Sequence, residues 1–179
     1  MLLAQLPISP QPLSPERGAW DSVRPGWRQL YGNFSAMGVS VEMHDFRTAE
    51  PLDWGRSFHA ESVEICLNTA GRGEISGSGR EMLLAGSAVG FYSVARQGLK
   101  AKRAGRDQHR FVTFEFSRDF LERQLAGSED KLAPALRESM LARRARSAVG
   151  EARPLTTSQQ SLAAAVCQPP VTAAALPLW

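Results

Sequence analysis

The sequence predicts a mainly β chain, an antiparallel sandwich or small barrel followed by carboxyl-terminal α-helices. Three observations carry this. Between Gln29 and Phe116, apolar side chains recur with period two and are punctuated by glycine. No helix-like pattern of useful length interrupts these runs, which excludes the crossover helices of a parallel sheet. After Phe116 the apolar period becomes that of a helix.

The elements follow in order. The first 15 residues hold prolines at 7, 10, 12 and 15 and no Lys or Arg, so they lack the basic start and unbroken apolar stretch of a secretory signal. Residues 1–27 are read as an extended arm. Eight strands are expected, over 28–34, 38–46, 60–69, 73–77, 80–84, 87–94, 98–104 and 109–116, within a β-domain spanning 28–116. The apolar faces expected against the core are Val39, Val41 and Met43, then Val63, Ile65 and Leu67, then Val112, Phe114 and Phe116. Gly71-Arg72-Gly73, Gly77-Ser78-Gly79, Gly86-Ser87 and Gly105-Arg106-Asp107 supply turns.

Residues 117–179 are expected to be helical. Ser117 is placed as an N-cap, with Asp119 in the first turn, Phe120, Leu121 and Leu125 on the buried side, and Gly127 as the stop. A second helix is expected from Pro134, with Leu136, Met140 and Leu141 as its apolar edge. Thr157-Ser158-Gln159-Gln160 has capping-box spacing and opens a helix carrying Leu162 and Val166, ended by Pro169-Pro170. A final run from Thr172 halts on Leu176 and Trp179. This apolar edge is expected to mark the front part of a longer protein, the alternative being that Trp179 packs on the barrel.

The chain has 179 residues, 43% hydrophobic and 22% charged, with a net charge of +3. These values exclude general disorder and a histone-like basic balance. Of the 21 basic residues 18 are Arg, which source base composition explains as readily as function. No stretch approaches 18 consecutive apolar residues. Cys66 and Cys167 stand about a hundred residues apart and are expected to be reduced thiols in a cytoplasmic protein. The absence of a C-x-x-C pair excludes a zinc finger.

Candidate chemistry is sparse. His59-Ala60-Glu61-Ser62-Val63-Glu64, with Gly71 seven residues on, loosely resembles the first cupin metal motif, and His109 stands one residue away from the place of a last ligand in the second. His59 and Glu61, two apart on a strand, would share the barrel interior, while Glu64 has the wrong parity unless a bulge intervenes. The second histidine of that motif is replaced by Glu61, so no metal is expected. No Gly-x-Ser-x-Gly elbow is present, and Cys66 in mid-strand reads as a small hydrophobe. Residues 96–110 hold Arg96, Lys100, Lys102, Arg103, Arg106 and Arg110 against Asp107. Residues 137–153 hold Arg137, Arg143, Arg144, Arg146 and Arg153 against Glu138 and Glu151. Such runs usually form a solvated face. Neither interleaves aromatic residues or lies in a helix-turn-helix pattern, so no DNA contact is expected from these residues. An anionic small ligand, if one binds, belongs near the first cluster.

The stretch from Glu61 to Gly127, "ESVEICLNTAGRGEISGSGREMLLAGSAVGFYSVARQGLKAKRAGRDQHRFVTFEFSRDFLERQLAG", resembles the amino-terminal domain of AraC/XylS-type transcriptional regulators. The matching features are a strand ending in Gly-x-Gly, then Leu-x-x-Gly-Ser before an aromatic strand, a basic hairpin, and a last strand running straight into a helix. "RPLTTSQQSLAAAVCQPPV" resembles the helical linker of the branch that senses iron-chelating siderophores. The resemblance covers roughly residues 39–179. It implies a cupin-like barrel for effector sensing, dimerisation helices over 117–179, and DNA binding only through a domain absent from this chain. It implies no cofactor, no membrane partner and no reaction. The expected ligand-binding residues are His59, Glu61, Val63, Ile65, Tyr92, His109 and Phe111, and the expected homodimer contacts are Leu162, Val166, Leu176 and Trp179. The rival readings are a metal-dependent cupin enzyme using His59, Glu61 and His109, and a stand-alone metabolite-binding module.

Overall fold

The computed structural model describes residues 20–23, 26–95, 98–132, 134, 136–137 and 146–167. Its strands are β1 (Trp27–Asn33), β2 (Val39–Thr48), β3 (Leu52–Asp53), β4 (Ser62–Ala70), β5 (Gly73–Gly77), β6 (Arg80–Leu84), β7 (Ala88–Val94), β8 (Lys100–Arg103), β9 (Asp107–Ser117), β10 (Ala148–Val149) and β11 (Arg153–Pro154). The larger sheet runs β1-β2-β9-β4-β7-β10, with β11 also on β7, and the smaller runs β3-β8-β5-β6. Every pairing is antiparallel. Two facing antiparallel sheets followed by a helix make the mainly β, cupin-like fold expected. All eight expected strands are present, and the short β3, β10 and β11 are additional.

Local chemistry sets the turns and caps. The β5–β6 hairpin turns through Ser78 and Gly79, both at positive φ (52° and 74°), as a two-residue turn of the favoured twist requires. Asn33 caps the short α1 (Phe34–Met37) through Ala36 N. Ser117 caps α2 (Arg118–Leu125), accepting from Phe120 N at 3.1 Å, as expected. The capping box of α3 (Thr157–Cys167) sits one residue earlier than expected. Thr156 Oγ1 accepts from Gln159 N, and Gln159 Oε1 accepts from Thr156 N. Within the region expected to be helical, β10 and β11 are instead extended and close the β7 edge of the larger sheet. Pro134, Leu136 and Arg137 are helical; Met140, Leu141 and the run from Thr172 lie outside the described residues.

The faces of the larger sheet are the reverse of those expected. Cross-strand register puts Ser40, Glu42, His44 and Phe46 of β2 on one face with His109, Phe111, Thr113 and Glu115 of β9. Ser62, Glu64, Cys66 and Asn68 of β4 and Tyr92 of β7 share that face. It looks into the sandwich, where Phe46, Cys66, Tyr92 and Phe111 meet Ile75, Met82, Leu84 and Ala101 of the smaller sheet. Val63, Ile65 and Leu67, with Val112, Phe114 and Phe116, point outward. Part of this apolar face is covered by α3, whose fully buried Ala163 packs with Leu67 and Leu155 against Ile65, Val89 and Phe114. A strand covered on its outer face can be apolar there and polar within.

The segment read as an extended arm ends in structure. Asp21–Val23 form a 3-10 turn, and Trp20 and Val23 are buried in the main core.

Candidate functional site

The interior of the sandwich combines aromatic rings with buried polar groups. β8 alternates Lys100 and Lys102 outward with Ala101 and Arg103 inward, so the basic hairpin sends one arginine into the core. Arg103 is fully buried. Its guanidinium lies 3.7 Å from the Phe111 ring centroid and 4.6 Å from that of Trp54. It donates from Nη1 to Asn68 Oδ1 at 2.6 Å and from Nη2 to Cys66 Sγ at 3.5 Å. Gly73 makes this possible, because a Cβ there would lie 2.9 Å from the guanidinium carbon. Burial lowers the pKa of Arg103 and raises that of Cys66 to about 11, which makes the thiol a poor nucleophile.

Three glutamates line the opposite half. Glu64 lies across from Glu115 on β9 and Tyr92 on β7, and the Tyr92 hydroxyl donates to Glu64 Oε1. Burial, reinforced by the Glu115 charge, pushes the Glu64 carboxyl well above its ordinary range. Glu115 accepts from the backbone N of His59 and lies 2.9 Å from His59 Nδ1. Glu42 accepts from Trp27 Nε1 at 2.9 Å and approaches His44 Nε2 to 3.4 Å. Burial raises the Glu42 pKa, but His44 and Trp27 outweigh it and hold the carboxyl below its usual value. Burial lowers the His44 pKa, and its ring stacks on Phe111 at 4.2 Å.

The expected site residues divide among several places. Tyr92, His109 and Phe111 are interior. Val63 and Ile65 face outward, Ile65 against the cluster that α3 covers, a correction that follows from the reversed faces. Glu61 is exposed at φ +60°, one residue before β4 begins, so it shares no strand face with His59. His59 and His109 are not brought together, for His59 bonds Glu115 while His109 stands six residues earlier on β9, roughly 20 Å along a strand. His109 Nε2 donates to Ala104 O at 2.8 Å and its ring abuts Gly71, at φ +81°, where a Cβ would lie 2.4 Å from Nδ1. It pins the β8–β9 turn. Among the described residues, no group of three His, Cys, Asp or Glu is placed to hold a metal ion.

A cleft of about 410 Å³ opens between α1 and α2, lined by Phe34, Met37, His59, Ala60, Asp119 and Arg123. His59 stacks on Phe34 at 4.0 Å and so stands between this cleft and Glu115. Of the expected dimer contacts, Leu162 is 49% exposed on α3 and Val166 is half-buried, while Leu176 and Trp179 lie outside the described residues. Sequence reasoning missed Glu42 and His44 and gave Glu64 the wrong parity, because their inward direction follows only once the faces are known. It also missed Trp20, which lies in a segment without periodicity.

The fold is a cupin-like sandwich with a polar, aromatic interior and a helix laid on the outer face of its larger sheet. The chain belongs to the family described as the regulatory protein PchR N-terminal domain, which matches residues 24–179. This bears out the AraC-type, siderophore-regulator resemblance drawn from the sequence. No curated protein matches the chain. Solved structures similar to it include the EutQ protein of Clostridium difficile, at 16% identity and TM-score 0.37, covering 54% of this chain and 65% of that one. The cupin domain of an XRE family transcriptional regulator from Enterobacter cloacae aligns at 14% identity and TM-score 0.38, covering 50% of this chain and 93% of that one. The cupin domain of Schizosaccharomyces pombe Cnp3 aligns at 8% identity and TM-score 0.39, covering 56% and 69%. Among the described residues, no helix is long and apolar enough to cross a membrane.

Proposed function

We propose that this chain is the effector-sensing and dimerisation domain of an AraC-type transcriptional regulator. It binds a small molecule, within the branch's class of iron-chelating siderophores, and carries out no reaction. DNA is reached through a further domain. The observation that carries the reading is the reversed sandwich, which buries three glutamates, two histidines and an arginine where a purely structural core would be apolar. Such an interior is costly for stability and suited to recognising a polar ligand. The connection outward is short. Tyr92, bonded to Glu64, pairs across the sheet with Val149 of β10, and the chain runs from there through β11 to α3. Ligand binding acts by shifting the balance between arrangements of that helix and its partner.

Titration of the protein with a panel of ferric siderophores and their iron-free forms, followed by tryptophan fluorescence and thermal unfolding, tests the sensing role. One ferric complex is expected to raise the melting temperature saturably. No response from any complex, together with about one tightly bound metal per chain that is lost in His59→Ala, would favour the metal-dependent enzyme instead. Dimerisation rests on Leu162, whose exposed side chain offers α3 a contact with a second copy, and the interface is expected to bury about 1,200–2,000 Å². Analytical ultracentrifugation over a concentration series should show a dimer that Leu162→Arg weakens, and a strict monomer at high concentration would oppose it.

A further inference from the structure

Arg103 is a fully buried cation to which no carboxylate is bonded among the described residues. Among the described residues its Nε makes no hydrogen bond. A buried charge is ordinarily matched by a counter-ion. The interior carboxylates are engaged elsewhere: Glu64 by Tyr92, Glu42 by Trp27 and His44, Glu115 by His59. Among the described residues, Trp20 Nε1 and Trp54 Nε1 around the same ring are buried without a hydrogen bond, and so is His44 Nδ1, while His44 Nε2 faces Glu42 at 3.4 Å. Measured to the Phe111 ring centroid, the Arg103 guanidinium is at 3.7 Å, His44 at 4.2 Å, Trp54 at 5.5 Å and Trp20 at 6.2 Å. Around the Phe111 ring the core therefore holds a cation bonded to no carboxylate and two unpaired indole donors. Of these four side chains only Trp20 belongs to neither sheet nor the loops joining their strands; it precedes the 3-10 turn Asp21–Val23. Its indole fills the interior against His44, at 4.3 Å.

We propose that the space Trp20 fills beside Phe111 is a binding site for a planar aromatic anion, and that Trp20 is the intramolecular occupant which this ligand displaces. The inference rests on the effector-sensing reading and adds the ligand's shape and charge. The ligand's ring takes the place of the indole against His44 and Phe111. Its acid group accepts hydrogen bonds from the Arg103 Nε and the Trp54 Nε1 groups and supplies the counter-charge that Arg103 lacks. Release of Trp20 loosens the 3-10 turn Asp21–Val23 that follows it, so that occupancy of the interior is reported outside the core.

The test uses the whole chain labelled with 5-fluorotryptophan and followed by fluorine NMR, with the Trp20 resonance assigned by Trp20→Phe. The probes are indole-3-carboxylate and its neutral counterpart, indole-3-carboxamide. The carboxylate is expected to move the Trp20 resonance towards its solvent-exposed position and to bind at least tenfold more tightly than the carboxamide. Arg103→Met should abolish that preference, and Trp20→Ala should tighten carboxylate binding at least tenfold by removing the internal competitor. A mere cavity left by Trp20→Ala would take up the carboxamide at least as well as the carboxylate, and that result overturns the proposal. So does a Trp20 resonance unmoved by either probe, and this readout on the unmutated chain decides the matter even if Arg103→Met does not fold. A ferric complex that binds Arg103→Met and Trp20→Ala as it binds the unmutated protein would refute this site while leaving the sensing role intact. Uptake of the carboxylate with the expected preference, alongside no response to any ferric complex, would uphold the site and refute the siderophore reading.

Discussion

Glu64→Gln isolates the electrostatic cost of the reversed interior. Gln preserves the side chain's shape and keeps an oxygen that accepts from the Tyr92 hydroxyl, but it cannot ionise. In the unfolded chain Glu64 ionises near the ordinary carboxylate value of 4.5. In the fold, burial and then the Glu115 charge raise the pKa most; the Tyr92 hydrogen bond opposes them, and the Glu42 and Arg103 charges add smaller effects of opposite sign. Between the two values the native state holds one proton more than the unfolded state, so stability falls as pH rises. The slope is at most about 1.4 kcal/mol per pH unit, and the loss is complete once pH exceeds the native pKa. Urea unfolding of both proteins across pH 4 to 8 measures this, and their difference cancels the titration of shared groups. The variant should gain on the unmutated chain steadily above pH 4.5. In a Glu115→Gln background the gain should end at a lower pH, because the Glu115 charge is the second-largest cause of the raised pKa. Parallel stability curves would show that Glu64 ionises freely in the fold and that the interior is wetter than its burial implies.

Two further perturbations separate the outer layer from the barrel. Ala163→Arg places a long cation where α3 meets Leu67 and Leu155, and should cost about 1–3 kcal/mol. Hydrogen exchange should show lost protection over Thr157–Cys167 with β4 and β9 still protected, whereas loss throughout would mean the sheet depends on its helix. Ser117→Ala removes the acceptor for Phe120 N and should cost about 1 kcal/mol, read from the urea midpoint at unchanged slope.

Strand positions were legible because the period-two signal is local, and glycine turns punctuate it. The direction of each strand's faces was not. Alternation says that Val63, Ile65 and Leu67 share a side and that Glu64 and Cys66 share the other, but which side is inside depends on what covers the back. Here α3 covers part of it, with Ala163 fitting the sheet because it is small. The helix is distant in sequence, and its apolar edge is too modest to announce that role. β10 and β11 were equally hidden, because two-residue strands carry no period and are fixed only by the free edge of β7.

The site was less legible than the fold for the same reason, with one exception. Lys100-Ala101-Lys102-Arg103 alternates, and Ala101 marks the inward side, so Arg103 was assignable to the interior from sequence alone. Treating the basic hairpin as a single solvated face concealed this. Once Arg103 points inward, the remaining interior follows from its needs. Gly73 must lack a side chain beside the guanidinium, Asn68 must supply an oxygen, and Phe111 and Trp54 must supply faces. Asn68 also donates to Gly71 O and Gly86 O, which ties the arginine's partner to two turns. Each unpaired buried donor around this group costs about 1–3 kcal/mol. Selection for stability alone would remove such a cluster. If the chain senses an effector as proposed, this cluster makes the interior, rather than the basic surface of the hairpin, the place where binding energy would be gained.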